Sequence, residues 1–197
     1  MNILFIGEPG QMEEIKSMKE KASTALSFEN LLPENVEKFN AIFFLNKNDF
    51  SKDDSKLCDK FILINDVSGN LPTSSSIKIA RFNGWPTFLK NNVWEVATNY
   101  PEEFKSIFTA LNREVLFVND EPGLISARVV SRIINEAFYA LNEGVSTKEG
   151  IDLAMKNGTN YPFGPFEWAK KIGLDKVHIL LSKLSEKDNS YSPAFTL

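Results

Sequence analysis

A chain of 197 residues, 43% of them hydrophobic, can bury one sizeable core or two modest ones. Its net charge of -4 and pI near 5.2 leave no basic surplus to neutralise a nucleic-acid backbone, while a small anionic ligand stays allowed. The single cysteine, Cys58, can neither close an internal disulfide nor build a metal cluster, Met1 to Gly7 lacks a basic leader, and no apolar run nears the ~20 residues of a membrane span, so a cytoplasmic protein without metal is expected.

The first half alternates short apolar runs with polar or helical stretches, the pattern of an α/β domain. Strands are predicted at Ile3 to Ile6, Ala41 to Leu45, Phe61 to Ile64, Ile77 to Phe82, Val93 to Ala97 and Val115 to Val118. Helices are predicted at Met12 to Lys21 and Glu102 to Leu111. Ala-Ile-Phe-Phe-Leu and Phe-Ile-Leu-Ile are apolar throughout, as strands covered on both faces are, which predicts a mostly parallel sheet rather than a sandwich.

After Asp120-Glu121-Pro122-Gly123 the period changes. Leu124, Ile125, Val129, Ile133, Ala137, Phe138 and Leu141 recur at helical spacing, with Gly144 as C-cap. Ser146-Thr147-Lys148-Glu149 reads as a capping box for a second helix that buries Ile151, Ala154 and Met155 and stops at Gly158. A third helix follows Pro165 to near Gly173, and a fourth runs from Asp175 to about Leu184, before a polar, mobile stretch from Glu186 to Ser190. The predicted division is 1–119 and 120–197.

Asp120-Glu121-Pro122-Gly123-Leu124-Ile125-Ser126-Ala127-Arg128 opens a match that continues through Asn135-Glu136-Ala137, Gly144-Val145, Ile151-Asp152-Leu153-Ala154-Met155, Gly158 and Tyr161-Pro162-Phe163-Gly164-Pro165-Phe166-Glu167. These strings resemble the C-terminal domain of 3-hydroxyacyl-CoA dehydrogenases, including 3-hydroxybutyryl-CoA enzymes. The resemblance implies a helical domain of the 6-phosphogluconate-dehydrogenase C-terminal type behind a shortened Rossmann-like sheet. It also implies NAD-dependent oxidation of 3-hydroxyacyl-CoA to 3-ketoacyl-CoA, an acyl-CoA-type ligand, and a homodimer formed through the helical domain. In Pro162-Phe163-Gly164-Pro165 the prolines preset φ and the glycine relaxes the backbone, which predicts a rigid turn into the next helix.

The first half departs from that family. A dinucleotide fingerprint needs glycines for the turn, for pyrophosphate approach and for helix packing. Here Gly7 fits the first position, but Pro9 and Met12 stand at the second and third, Glu8 adds negative charge, and Gly10 offers only an alternative loop. NAD, implied by the resemblance, is therefore expected to bind poorly if at all. The family's general base is a His in a His-Phe-x-Asn-Pro string; with Pro86 in register, Phe82 takes its place. His178, the chain's one histidine, lies on the wrong motif. Glu95 matches the orienting Glu and Ser68 the family's serine turn, whereas the Asn before the long helix's Arg is replaced by Ala127 beside Arg128.

Arg81, Asn83 and Trp85 form a candidate cradle for an adenine-containing CoA, by phosphate contact and stacking. The competing reading makes Asn83-Gly84 a hairpin-like turn and Trp85 a packing residue. Three functions follow: a family member with weak or absent oxidation; a non-catalytic acyl-CoA-binding or dimer-assembly protein; or an enzyme in which Glu95 or a water replaces the base.

Overall fold

The computed structural model describes residues 1–16, 21–51, 55–73 and 77–194. The chain divides into two compact units, Met1–Leu124 and Ile125–Leu197. The first is built on strands β1 (Asn2–Ile6), β2 (Ala25–Glu29), β3 (Ala41–Phe44), β4 (Phe61–Ile64), β5 (Lys78–Phe82), β6 (Val93–Thr98) and β7 (Glu114–Phe117), with helices α1 (Pro9–Lys16) and α2 (Pro101–Ala110). They form one sheet of order β2-β1-β3-β4-β5-β6-β7, parallel at every pairing except β5 with β6. The expected mostly parallel sheet is thus present.

The apolar runs sit where burial on both faces demands them. β3 and β4 lie inside the sheet, and the side chains of β3 are all inaccessible. On one face Phe5, Phe43, Phe82, Trp94 and Val96 pack under Met12 and Ile15 of α1 and under Phe104, Ile107 and Phe108 of α2. Phe43 is the hub of that layer: it stacks on Phe5 at 4.5 Å and meets Phe82 and Phe108 edge-on, while Phe82 lies parallel to Trp94 at 5.4 Å. The opposite face carries Leu4, Ile6, Ile42, Phe44, Ile62, Ile64 and Ile79. No α-helix covers it among the described residues. Val36, Phe39, Leu57 and Ile77, from the connections between β2 and β5, do so instead. A doubly wound sheet has helices on both faces; among the described residues this one keeps its α-helices on one.

Two expectations in this unit are corrected. β2 is a strand although no apolar run marks it, because an edge strand buries little: Leu26 alone is fully covered. Of the helix expected from Met12 to Lys21, residues 17–20 lie outside the described residues, and α1 begins earlier, at Pro9, where a missing N–H costs nothing.

The second unit comprises α3 (Ser126–Asn142), α4 (Lys148–Thr159), α5 (Pro165–Ile172) and α6 (Leu174–Ser185). α3 packs on α5 and α6, and α4 on α5. The spacing predicted α3 and part of its inner face: Ala137 and Phe138 are buried as expected, together with Val130 and Ile134, while Ile125 and Val129 are about half exposed. Gly144, at φ +72°, ends α3 as expected. α4 is capped by Thr147, whose hydroxyl accepts from Gly150 N at 3.1 Å, so the cap lies one residue later than predicted and the expected capping box is not formed, because Gly150 has no side chain to return the bond. No residue of α4 is buried, which corrects the expected inner face of Ile151, Ala154 and Met155; Asn160, in the left-handed conformation, ends it rather than Gly158. No helix among the described residues is long and apolar enough to cross a membrane.

Polar anchors hold α4 instead. Both Asp152 oxygens cap α5, accepting from Phe166 N at 2.8 Å and Glu167 N at 3.1 Å, and Lys156 reaches Glu167 at 2.8 Å. Gly164 makes this approach feasible, because a Cβ there would lie 2.3 Å from the Asp152 carboxyl carbon. Beyond the stretch from Glu186 to Ser190 expected to be mobile, the chain lies along α3. Buried Asn135 donates to Ser192 O and accepts from Ala194 N, both at 2.8 Å, and the Arg132 guanidinium lies 4.9 Å from the Tyr191 ring centroid.

Gly164→Ala should destabilise the helical unit by ~1–3 kcal/mol through overpacking against Asp152, read as a lowered urea midpoint. An unchanged midpoint would show that the close approach is not needed. The Glu167 carboxyl titrates below its usual range, chiefly because Lys156 donates to it and secondarily because Gly164 N does. A folded value below the unfolded one stabilises above the unfolded pKa and is lost as pH falls through the folded value. Melting temperature should therefore drop below about pH 4.5, and Glu167→Gln should blunt that drop. A variant with the same acid sensitivity would remove Glu167 from the effect.

Candidate functional site

The chain direction sets where a ligand could enter. β1 lies between β2 and β3, so the chain crosses from β1 to β2 in one direction and from β2 back past β1 to β3 in the other, and the crevice beyond the carboxyl ends of β1 and β3 is the topological switch point. Gly7 follows β1 here, and a Cβ on it would meet Leu45 Cβ at 2.7 Å, so close packing dictates glycine. Gly10 lies in the first turn of α1 with open space around its Cα. The next residue, Gln11, bonds back to the chain around this turn. Gln11 Nε2 donates to Leu45 O at 2.8 Å, and its Oε1 accepts from Glu8 N at 3.2 Å.

The stitching continues along the strand ends. Asn65, after β4, donates to the same Leu45 carbonyl at 2.8 Å and accepts from Gly84 N, beyond β5, at 2.9 Å. Thr87 N is shared by both Glu14 oxygens at 3.0 Å, which ties α1 to the connection after β5. Side-chain amides and a carboxylate thus occupy the rim on which a dinucleotide would lie. One feature does suit a nucleotide. An acidic residue about 20 residues past the first glycine commonly binds the ribose hydroxyls, and exposed Glu29 ends β2 with its carbonyl accepting from Gly7 N at 3.2 Å. Sequence reasoning missed Glu29 because it missed β2; the spacing from Gly7 was the available signal. Glu29 thus suits a ribose, whereas Glu8 N, an amide of the turn after β1, is already bonded to Gln11 and the Glu8 carboxylate adds negative charge, so the turn is a poor fit for the pyrophosphate of NAD.

Beyond β5 the predicted cradle is largely internal. Arg81 has no exposed surface. It pairs with Asp120 Oδ1 at 2.7 Å and donates to the carbonyls of Asp66 and of Glu121, the latter at 3.1 Å. Asp120 also accepts from Leu71 N at 2.9 Å, and nearly buried Asp66 pairs with Lys47 at 2.6 Å. Asn83, 7% exposed, accepts from Trp85 N at 3.2 Å, and Trp85 is 5% exposed. The hairpin-like turn expected at Asn83-Gly84 is corrected: β5 and β6 are antiparallel, but residues 83–92 connect them.

The catalytic candidates are not brought together. Half-buried Glu95 lies within β6 on the face away from Trp94 and Val96, opposite Leu116 of β7. Ser68 sits in the turn after β4, and the whole of β5 intervenes. Phe82, at the expected base position, is in the aromatic core. His178 is exposed on α6 of the other unit, 3.4 Å from Ser182 Oγ. Among the described residues no three His, Cys, Asp or Glu side chains converge as metal ligands.

Comparison with known proteins separates the units. Residues 123–196 match the family model described as 3-hydroxyacyl-CoA dehydrogenase, C-terminal domain. A 3-hydroxybutyryl-CoA dehydrogenase of Bradyrhizobium diazoefficiens is 40% identical over 94 residues, 47% of this chain and 32% of that protein. A 3-hydroxyadipyl-CoA dehydrogenase of Escherichia coli is 39% identical over 87 residues, 43% of this chain and 18% of that protein. These alignments span less than two thirds of the relatives' lengths. The fold likeness is wider: an (S)-3-hydroxybutyryl-CoA dehydrogenase structure from Ralstonia eutropha superposes with a TM-score of 0.74 at 17% identity, covering 99% of this chain and 91% of that one.

Because Arg81 is wholly buried and Asp120 is 31% exposed, the two sides of their pair should not be equivalent. Asp120→Ala strands a guanidinium away from water and should cost about 3 kcal/mol, whereas Arg81→Met leaves a carboxylate that can rehydrate and should cost less. Urea unfolding of both variants checks the order; the reverse order would mean that Arg81 is solvated in solution.

Proposed function

We propose that this chain, whose residues 123–196 match the C-terminal domain of 3-hydroxyacyl-CoA dehydrogenases, is a member of that family without hydride-transfer activity, retained to bind an acyl-CoA-type ligand or to assemble. The observation that carries this reading is the Gln11 side chain, bonded to Leu45 O and Glu8 N where a pyrophosphate would have to lie. Displacing it would break two hydrogen bonds and bring a dianionic group beside Glu8. The absence of a positioned base points the same way, since a hydride leaves only when the hydroxyl proton is accepted and Phe82 cannot accept one.

In this reading Arg81, Asn83 and Trp85 serve the fold rather than the ligand, and Glu95 and Ser68 have no imidazole to orient. Assembly is a homodimer formed through the helical unit, whose Val129, Leu153 and Ile179 are more than half exposed.

Calorimetric titration with NADH and, separately, with acetoacetyl-CoA tests the two half-sites. The expected result is no saturable NADH binding together with saturable acetoacetyl-CoA binding. NADH binding would show that Gln11 yields and would overturn the proposal; silence with both ligands would leave assembly as the function.

A further inference from the structure

The helical unit contains a cavity of about 470 Å³, within the roughly 300 to 1,000 Å³ usual for small-molecule sites. It exists because of how α4 is attached. Asp152 and Lys156 fasten α4 to α5, and no α4 residue is buried against anything else, so a gap opens beside α3. Its apolar wall is Phe138 of α3, Phe166 of α5, in edge-to-face contact at 4.9 Å, and Leu174, which is 41% exposed.

The charges around this wall are unequal in availability. Asp152 spends both oxygens on the amides of α5, and Glu167 spends its own on Lys156 and Gly164 N. The lining cations Lys148 and Lys170 have no carboxylate within ion-pair distance among the described residues. The Lys148 ammonium lies over the aromatic wall instead, 5.6 Å from the Phe166 centroid and 6.0 Å from that of Phe138. That contact is a weak substitute for a carboxylate. Of the lining carboxylates, Asp152 and Glu167 are committed and Glu149 alone faces the two lysines, so the uncommitted balance is positive.

We propose that this cavity binds an aliphatic monocarboxylate of medium chain length, its tail against Phe138, Phe166 and Leu174 and its carboxylate between Lys148 and Lys170. The site is independent of the dehydrogenase reading and of the sheet unit. Sign decides the ligand: a cationic amphiphile would meet two ammonium groups, and a neutral alcohol would leave them unpaired.

The test is calorimetric titration of the full chain with sodium octanoate, octylamine and 1-octanol. Octanoate should bind saturably, one per chain, and octylamine should not. The Lys148→Gln/Lys170→Gln double variant should lose roughly tenfold or more in octanoate affinity, the size of a lost charge-assisted hydrogen bond, with its melting temperature unchanged. Glu149→Gln should tighten binding. The proposal fails if octanoate does not saturate, if the double variant binds it equally well, or if octylamine binds as tightly. It also fails if octanoate binds only to dissociated monomer, which would give the cavity to a second copy of the chain.

Discussion

A guanidinium with no access to water has to find all its partners inside the protein, and Arg81 organises the sheet unit for that reason. Its place in β5 aims the side chain at the face that lacks helices. There it fastens the turn after β4 through Asp66 O and the end of the unit through Asp120 and Glu121 O. Asp120 in turn holds the backbone at Leu71. A doubly wound sheet would position these connections by docking helices. Here the described connections on that face are irregular, and one charged cluster substitutes for part of the missing helical packing.

The same economy shapes the carboxyl ends of the strands. In a dinucleotide-binding sheet, the amides there stay available for phosphate. In this chain Gln11 and Glu14 tie α1 to the segments after β3 and β5, and Asn65 ties the ends of β3, β4 and β5 to one another, satisfying amides and carbonyls internally. A sheet covered on one face by loops gains stability from such ties.

The helical unit follows another logic. Its determinants are local: Thr147 capping α4, the Pro162-to-Pro165 turn that brings Asp152 onto the start of α5, and Asn135 pinning the last described segment. Local devices of this kind need particular residues at particular spacings. That accounts for sequence similarity concentrated in residues 123–196 while the likeness in fold covers nearly all of the chain. The sheet needs only apolar strands of the right length, which many sequences supply.

The sequence by itself determined the elements whose signal is contained in their own residues: the apolar interior strands, α2, the length of α3, and the family of the helical unit. It also determined that no histidine stands at the end of β5. Only the tertiary structure decided what depends on distant neighbours. β2 is a strand because β1 pairs with it, not because Ala-Leu-Ser-Phe-Glu demands it. α4 presents a good inner face of Ile151, Ala154 and Met155, yet Asp152 and Lys156 hold it where none of the three is buried. Arg81 reads as a ligand contact until Asp120, far along the chain, is seen to take its charge. Periodicity reports which residues could share a face, but burial is set by what arrives opposite, and a charge is free or committed only with respect to partners that the fold brings near.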